Sequence, residues 1–173
     1  LLSFIALKGK CRYCKKRISL QYPLVELATG ILFVLALNYE LGIRNYGLFN
    51  FENILNSLFL LLTSCFLIII FVYDLKHYII PDKVIYPAIV IAGIFNLHYS
   101  LFIIHNSQFL IQSSLSAFGA ALFFLFIVLV SQGRWMGIGD IKLAFLMGLF
   151  LGFPNIVIAL FLAFFIGAII GIG

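Results

Sequence analysis

Charge is scarce in this chain. Only 10% of its 173 residues are charged, and just six are acidic. A chain that is 64% apolar cannot hide that much apolar surface in water as a soluble domain. The apolar runs also lack the alternation of membrane β-strands, which argues against a barrel. No secretory signal opens the chain: it begins LLSFIALKGKC, without Met and in mid-pattern. It stops inside another apolar run, IIGIG. The expectation is a segment of a longer protein, clipped at both ends. Neither an internal repeat nor a low-complexity linker is visible, and the cysteines number three.

Long apolar runs are what the chain has in quantity. Several approach or exceed the roughly 18–20 residues that span a bilayer as helix. The predicted class is all-α: a polytopic transmembrane helical bundle of five or six apolar segments. A basic segment at 8–19 precedes predicted spans at 23–42, 54–73, 84–104 and 113–131. A polar loop with Arg44, Asn45, Asn50, Glu52 and Asn53 separates the first two. The turn DLKHYIIPDK and the loop HNSQFLIQ separate the next ones. The glycine-rich turn GRWMGIGD leads into a short apolar stretch at 141–153, and Pro154-Asn155 separates it from a last one at 156–173. Composition divides the chain into residues 1–22, a Cys-containing segment, and 23–173, a transmembrane domain.

Placing the N-terminal segment in the cytoplasm puts Lys8, Lys10, Arg12, Lys15, Lys16, Arg17, Lys76, Lys83, Arg134 and Lys142 inside and only Arg44 outside. Ten of the eleven basic residues then obey the positive-inside rule. The same orientation puts Asp74 and Asp140 at one cytoplasmic face. The net charge of +5 is thus topological. The basic residues flank a membrane rather than forming a nucleic-acid stripe, so no nucleic-acid partner is expected.

Glu40 and Glu52 fall at the outer edge and read as solvated. Glu26 follows Pro23 in the predicted first turn, where helix-dipole and functional roles both stay open. Asp82, after Pro81, is the predicted N-cap of the next helix. Asp74 and Asp140 abut apolar helices at the inner interface. Either they sit in headgroup water or they form a site. Two carboxylates that share a site hold one proton between them. The ionised member can activate water while the other protonates a carbonyl oxygen or leaving group. That chemistry needs neither metal nor cofactor. Asp74 follows the predicted end of its helix and Asp140 precedes the predicted start of the next. The helix dipoles then favour Asp74 as general acid and Asp140 as general base, although the titration belongs to the pair. Gly137 and Gly139 would let the backbone there take unusual dihedrals and be approached closely, although GIGD also reads as an ordinary glycine turn. Lys76, His77 and Lys142 read as interface residues. Gly93, Ala117, Gly119, Ala120, Ala121 and Gly148 read as small residues permitting close helix approach.

Cys11 and Cys14 form a CxxC in the basic segment. At a cytosolic face that spacing points to metal or redox chemistry. Two thiolates are half of a tetrahedral zinc site, and the chain has no second pair, since Cys65 lies in an apolar span.

Taken in order, these stretches resemble the type IV prepilin peptidases, bacterial leader peptidases and N-methyltransferases. LLSFIALKGKCRYCKKRISLQYPLVELATG is similar to the family's cytoplasmic cysteine segment entering a membrane helix. DLKHYIIPD, residues 74–82, resembles the segment bearing the first catalytic aspartate. GIGDIKLAFLMGLFLG, residues 137–152, resembles the second, the GxGD motif. The resemblance implies a multi-pass aspartyl endopeptidase of the bacterial inner membrane, with Asp74 and Asp140 as its catalytic pair. It implies cleavage of prepilins or pseudopilins after a glycine at the cytoplasmic face. Methylation of the new N-terminus from S-adenosylmethionine would follow. Full-length members carry a preceding membrane helix and a first CxxC pair that are absent from this sequence, and Zn2+ and S-adenosylmethionine depend on that segment. Substrates and membrane lipids are the expected partners. Two other readings remain. A presenilin-like protease also pairs YD, here Tyr73-Asp74, with GxGD. A proton- or ion-coupled carrier also uses paired membrane carboxylates, though usually at midplane on repeated broken helices.

Overall fold

The structure is a computed structural model that describes Phe4, Leu7 and residues 9–43, 51–103 and 107–172. Lys8, Arg44, Asn45, Asn50, and the side chains of Glu40, Glu52 and Asn53, lie outside the described residues. Among the described residues there are six α-helices: α1 (Gln21–Ile43), α2 (Phe51–His77), α3 (Asp82–His98), α4 (Ser107–Ser131), α5 (Ile138–Leu151) and α6 (Asn155–Ile172). A π-helical segment, Tyr99–Ile103, continues α3. No strand occurs among the described residues, only an isolated bridge between Lys10 and Arg17. The expected all-α polytopic class is what forms.

Among the described residues, three stretches are long and apolar enough to cross a membrane: Ile54–His77, Asp82–Phe102 and Gln108–Ser131, with 24, 21 and 24 residues. They reach about 31–36 Å, against roughly 30 Å of hydrocarbon. Helix α5, with 14 residues, reaches only about 21 Å.

Several boundaries differ from the sequence expectation. Helix α2 runs through Asp74 to His77, because nothing in DLKH breaks a helix before Pro81. Helix α5 starts at Ile138, so Gly139 and Asp140 belong to its first turn rather than to the turn before it. Helix α1 starts at Gln21, so Pro23 is its third residue and Glu26 falls beyond the first turn. Pro81, not Asp82, is the N-cap of α3, at φ −73° and ψ 120°.

The chain divides into two compact units, Leu1–Lys76 and His77–Gly173. In the first, α2 buries Asn56, Thr63 and Ile70, spaced seven apart on one face. The hydroxyls of Thr29 and Ser64 donate to the carbonyls of Val25 and Leu60, each at 2.7 Å. That satisfies polar groups within an apolar helix.

In the second unit, α5 packs most extensively on α4 and next on α3. Helix α3 presents Ile85, Ala88, Ala92 and Asn96 as its buried stripe. On the other side, Ala120, Phe124, Ala144 and Ile156 form a core between α4, α5 and α6. The α4–α5 seam depends on small residues. A Cβ on Gly148 would lie 2.4 Å from the Ala117 Cα and 2.7 Å from its N, and Ala117 is fully buried. Gly93 and Gly119 have open space where a Cβ would sit, so close approach does not explain those two. Apolar side chains such as Leu115, Phe126, Phe161 and Ile169 are exposed, as lipid-facing surface would be.

A helix that ends in apolar surroundings must have its last carbonyls satisfied by protein. The Gly152 N–H donates to Gly148 O at 3.0 Å, with Gly152 at φ 64°, a conformation that favours glycine. Asn96 Nδ2 donates to Leu149 O at 2.8 Å, and Asn155 Nδ2 to Leu151 O at 3.4 Å. Gln112 Nε2 donates to Phe153 O at 3.0 Å. Three elements thus contribute polar side chains around the end of one short helix.

Candidate active site

Asp140 is the third residue of α5, and Gly137 is the N-cap. The Asp140 carboxylate reaches back over the turn: Oδ2 accepts the Gly137 N–H at 3.0 Å. The Asp140 N–H donates to Gly137 O at 3.2 Å. This is the carboxylate half of a capping box. The reciprocal half needs a side chain that glycine lacks. Asp140 is half-buried, and its Oδ1 has no protein partner among the described residues. One oxygen is therefore held and the other is open, at a helix N-terminus that favours negative charge.

The two motif glycines act differently from expectation. Gly137 sits at φ −87° and ψ 162°, an extended conformation open to any residue. Gly139 is helical, and its lack of a side chain admits Ile80: a Cβ there would lie 3.1 Å from Ile80 Cβ. Ile80 itself is buried. Three residues on, Lys142 Nζ donates to Asp82 Oδ1 at 2.5 Å and lies 4.8 Å above the Tyr86 ring centroid. Asp82 is therefore an inter-helix partner, not the N-cap expected from sequence, and Lys142, read from sequence as an interface residue, is the other member of that pair. Ile80 and Tyr86 were not among the residues singled out from sequence. Their only signals are register: Asp82 and Tyr86 at i,i+4, and Gly139 and Lys142 at i,i+3, each pair sharing one helix face.

Asp74 lies in the last turn of α2. It is exposed and has no hydrogen bond or ion pair among the described residues. It belongs to the first unit, whereas Gly137, Gly139 and Asp140 share one turn in the second.

Cys11 and Cys14 also share one turn. The Lys10–Arg17 bridge closes it. The Cys11 N–H donates to Lys16 O at 2.9 Å and the Lys15 N–H to Cys11 O at 3.2 Å. Lys15 takes the left-handed φ of 57° that lets the chain turn back. The backbone N–H of Cys14, then that of Tyr13, then the Cys14 side chain lower the pKa of the Cys11 thiol, with Lys15 adding to the effect. N–H donors aimed at sulfur stabilise thiolate, the form that binds soft metals. The turn therefore fits half of a thiolate zinc site. Among the described residues no group of three His, Cys, Asp or Glu could hold a metal, so any further ligands come from elsewhere. Cys65 is half-buried in α2, consistent with packing.

Comparison with known proteins gives two family matches. Residues 61–172 match the type IV leader peptidase family, and residues 1–39 match the bacterial peptidase A24 N-terminal domain. The chain is similar to the prepilin leader peptidase/N-methyltransferase of Pseudomonas aeruginosa, at 31% identity over 180 residues, covering 99% of this chain and 55% of that protein. It is similar to the protein of the same name from Aeromonas salmonicida, at 32% identity over 174 residues, covering 100% and 55%. The one from Neisseria gonorrhoeae is 28% identical over 174 residues, covering 99% and 56%. The chain spans about half the length of the curated relatives it matches. No solved structure matches it. The first match alone takes in both GxGD and the DLKHYIIPD segment, well over half of the sequence, and so the chain belongs to the type IV leader peptidase family.

Proposed function

We propose that this chain is the peptidase part of an aspartyl endopeptidase of the bacterial inner membrane. Its substrates are type IV prepilins or pseudopilins, cut after a leader glycine at the cytoplasmic face. The supporting observation is the state of Asp140 in a chain of this family. The GxGD carboxylate is anchored by one oxygen to the Gly137 N–H and leaves the other available to water. In this reading Asp140, at a helix N-terminus, is the general base. Asp74, in the last turn of α2, is the general acid, as the opposite end of the helix dipole favours. Asp140 takes a proton from water as its oxygen attacks the scissile carbonyl carbon. Asp74 gives its proton to the carbonyl oxygen, forming a gem-diol. As that species collapses, the amide nitrogen takes the proton held by Asp140 and the C–N bond breaks to release the amine. One gem-diol hydroxyl returns a proton to Asp74 and leaves the carboxylic acid. Family membership favours this peptidase reading over a carrier or a presenilin-like protease.

Cys11 and Cys14 are proposed as two ligands of a zinc ion in the whole protein, where the metal would staple the basic segment. Zinc content in wild type against Cys11→Ser checks that assignment, and equal content would refute it. N-methylation from S-adenosylmethionine is proposed for the whole protein only, after its relatives' names. The main test is cleavage of a prepilin by the whole protein in proteoliposomes. Asp74→Asn and Asp140→Asn should each lower the rate by about 100-fold or more. Full cleavage by either variant would overturn the peptidase mechanism.

A further inference from the structure

We propose that Lys142 is a positioning residue for the peptidase reaction. Through Asp82 and Tyr86 it fixes the rotation of α5, and hence the aim of Asp140, against the segment that follows Asp74 in the chain. The inference rests on the peptidase reading. Three contacts within the second unit carry it. Ile80 lies against Gly139, with its Cδ1 and Cγ1 3.4 Å from where a Cβ would be. The Lys142 ammonium binds Asp82 at 2.5 Å and covers the Tyr86 ring. One face of the start of α3 thus meets one face of the first turns of α5.

The helical wheel explains the consequence. At about 100° per residue, Gly139 and Lys142 stand about 60° apart, and Asp140 stands about 100° from one and 160° from the other. Gripping the first pair leaves Asp140 off the contact face but determines where it points. The lever behind the grip is stiff. Pro81 sits between Ile80 and Asp82 at φ −73°, a value the proline ring fixes. Asp74 is six residues before Ile80 in the sequence, so the gripped segment is also the tether of the other proposed catalytic residue.

Exposure separates positioning from bulk stability. The side chains of Lys142 and Asp82 are 23% and 61% exposed, and pairs so open to their surroundings stabilise folds little. A misplacement of about 1 Å in an active site, by contrast, costs about 100-fold in rate.

The experiment uses the whole protein in proteoliposomes, with kcat and KM for prepilin cleavage and melting followed in parallel. Lys142→Met and Asp82→Asn should each lower kcat about 10- to 100-fold, with KM and the melting temperature nearly unchanged. The exchanged pair, Lys142→Asp with Asp82→Lys, should recover most of the lost kcat. If Lys142→Met does not accumulate, Lys142→Arg, which keeps the charge but alters the reach, should still lower kcat in a folded protein. Wild-type kcat in the single variants, a kcat loss matched by loss of folded protein, or a folded exchange variant without recovery would overturn the proposal. Wild type and Asp140→Asn are assayed alongside. Absence of wild-type cleavage would remove the peptidase reading and this inference together. Cleavage by wild type and by the Lys142 variants alike would remove this inference alone.

Discussion

Replacing Gly148 with alanine should destabilise the second unit although alanine is the better helix former. The new Cβ would sit 2.4 Å from Ala117 Cα, 2.7 Å from Ala117 N and 2.8 Å from Ser116 O. Carbon atoms rest about 3.5–4.0 Å apart, so α4 and α5 must part by about 1 Å at this point. All three obstructing atoms are backbone, and no side chain can rotate away. Separation would also loosen the packing of Ala117, Ala120 and Ala144, each at most 6% exposed. Overpacking of this kind costs about 1–3 kcal/mol, and the rigid neighbours argue for the upper end. Better helix propensity returns about 1 kcal/mol. The expected net loss is about 2 kcal/mol. Gly93→Ala and Gly119→Ala are the controls, since both positions have room for a Cβ, and they should be neutral or gain up to about 1 kcal/mol. Equilibrium unfolding in mixed micelles, followed through Trp135, the sole tryptophan, gives the comparison. A Gly148→Ala protein within about 0.5 kcal/mol of Gly93→Ala would refute the backbone-contact argument.

Asn96→Leu should cost about 1–3 kcal/mol in the same unfolding assay, because it leaves Leu149 O without the hydrogen bond that Asn96 donates; unchanged stability would mean that the bond does not matter. Cys11 should react with iodoacetamide with a pH midpoint below that of a free cysteine peptide. The Cys14 and Tyr13 N–H groups favour its thiolate, so the thiolate persists to lower pH and the excess rate is greatest near neutrality. Peptide mapping by mass spectrometry reads the rate, and a midpoint at or above that of the peptide would contradict the geometry of the turn.

The apolar helices were legible because their signal is bulk hydrophobicity, which needs no knowledge of partners. Their ends were less so. Asp74, Lys76 and His77 are polar but do not break a helix, and α2 continues through them. Gly137 and Gly139 read as a turn, yet a helix tolerates glycine in its first turn, and α5 begins between them. Both motif aspartates could be named from spacing and resemblance. Their neighbours could not. Asp82 and Lys142 are 60 residues apart, and each alone has an ordinary local explanation as cap or interface residue. Gly148 and Ala117 were identified as small residues, but so were Gly93 and Gly119, and sequence does not say which face of a helix is covered.

The shortness of α5 links these observations. A helix of 14 residues cannot cross the hydrocarbon, so an end placed at the cytoplasmic face leaves the other end within apolar surroundings. There its carbonyls find no water; Asn96 from α3 and Asn155 from α6 take over that role at Leu149 O and Leu151 O, and Gln112 from α4 holds the Phe153 carbonyl just beyond the helix end. Those bonds resist sliding of α5 along its axis, because a shift of one residue would strand a carbonyl. The Gly148–Ala117 contact sets its distance from α4, and the Lys142 and Gly139 contacts set its rotation. Distance, depth and rotation together determine where Asp140 stands. The polar residues at the far end of the helix therefore bear on the same carboxylate as the residues beside it, and Asn96→Leu should disturb the proposed cleavage as well as the fold.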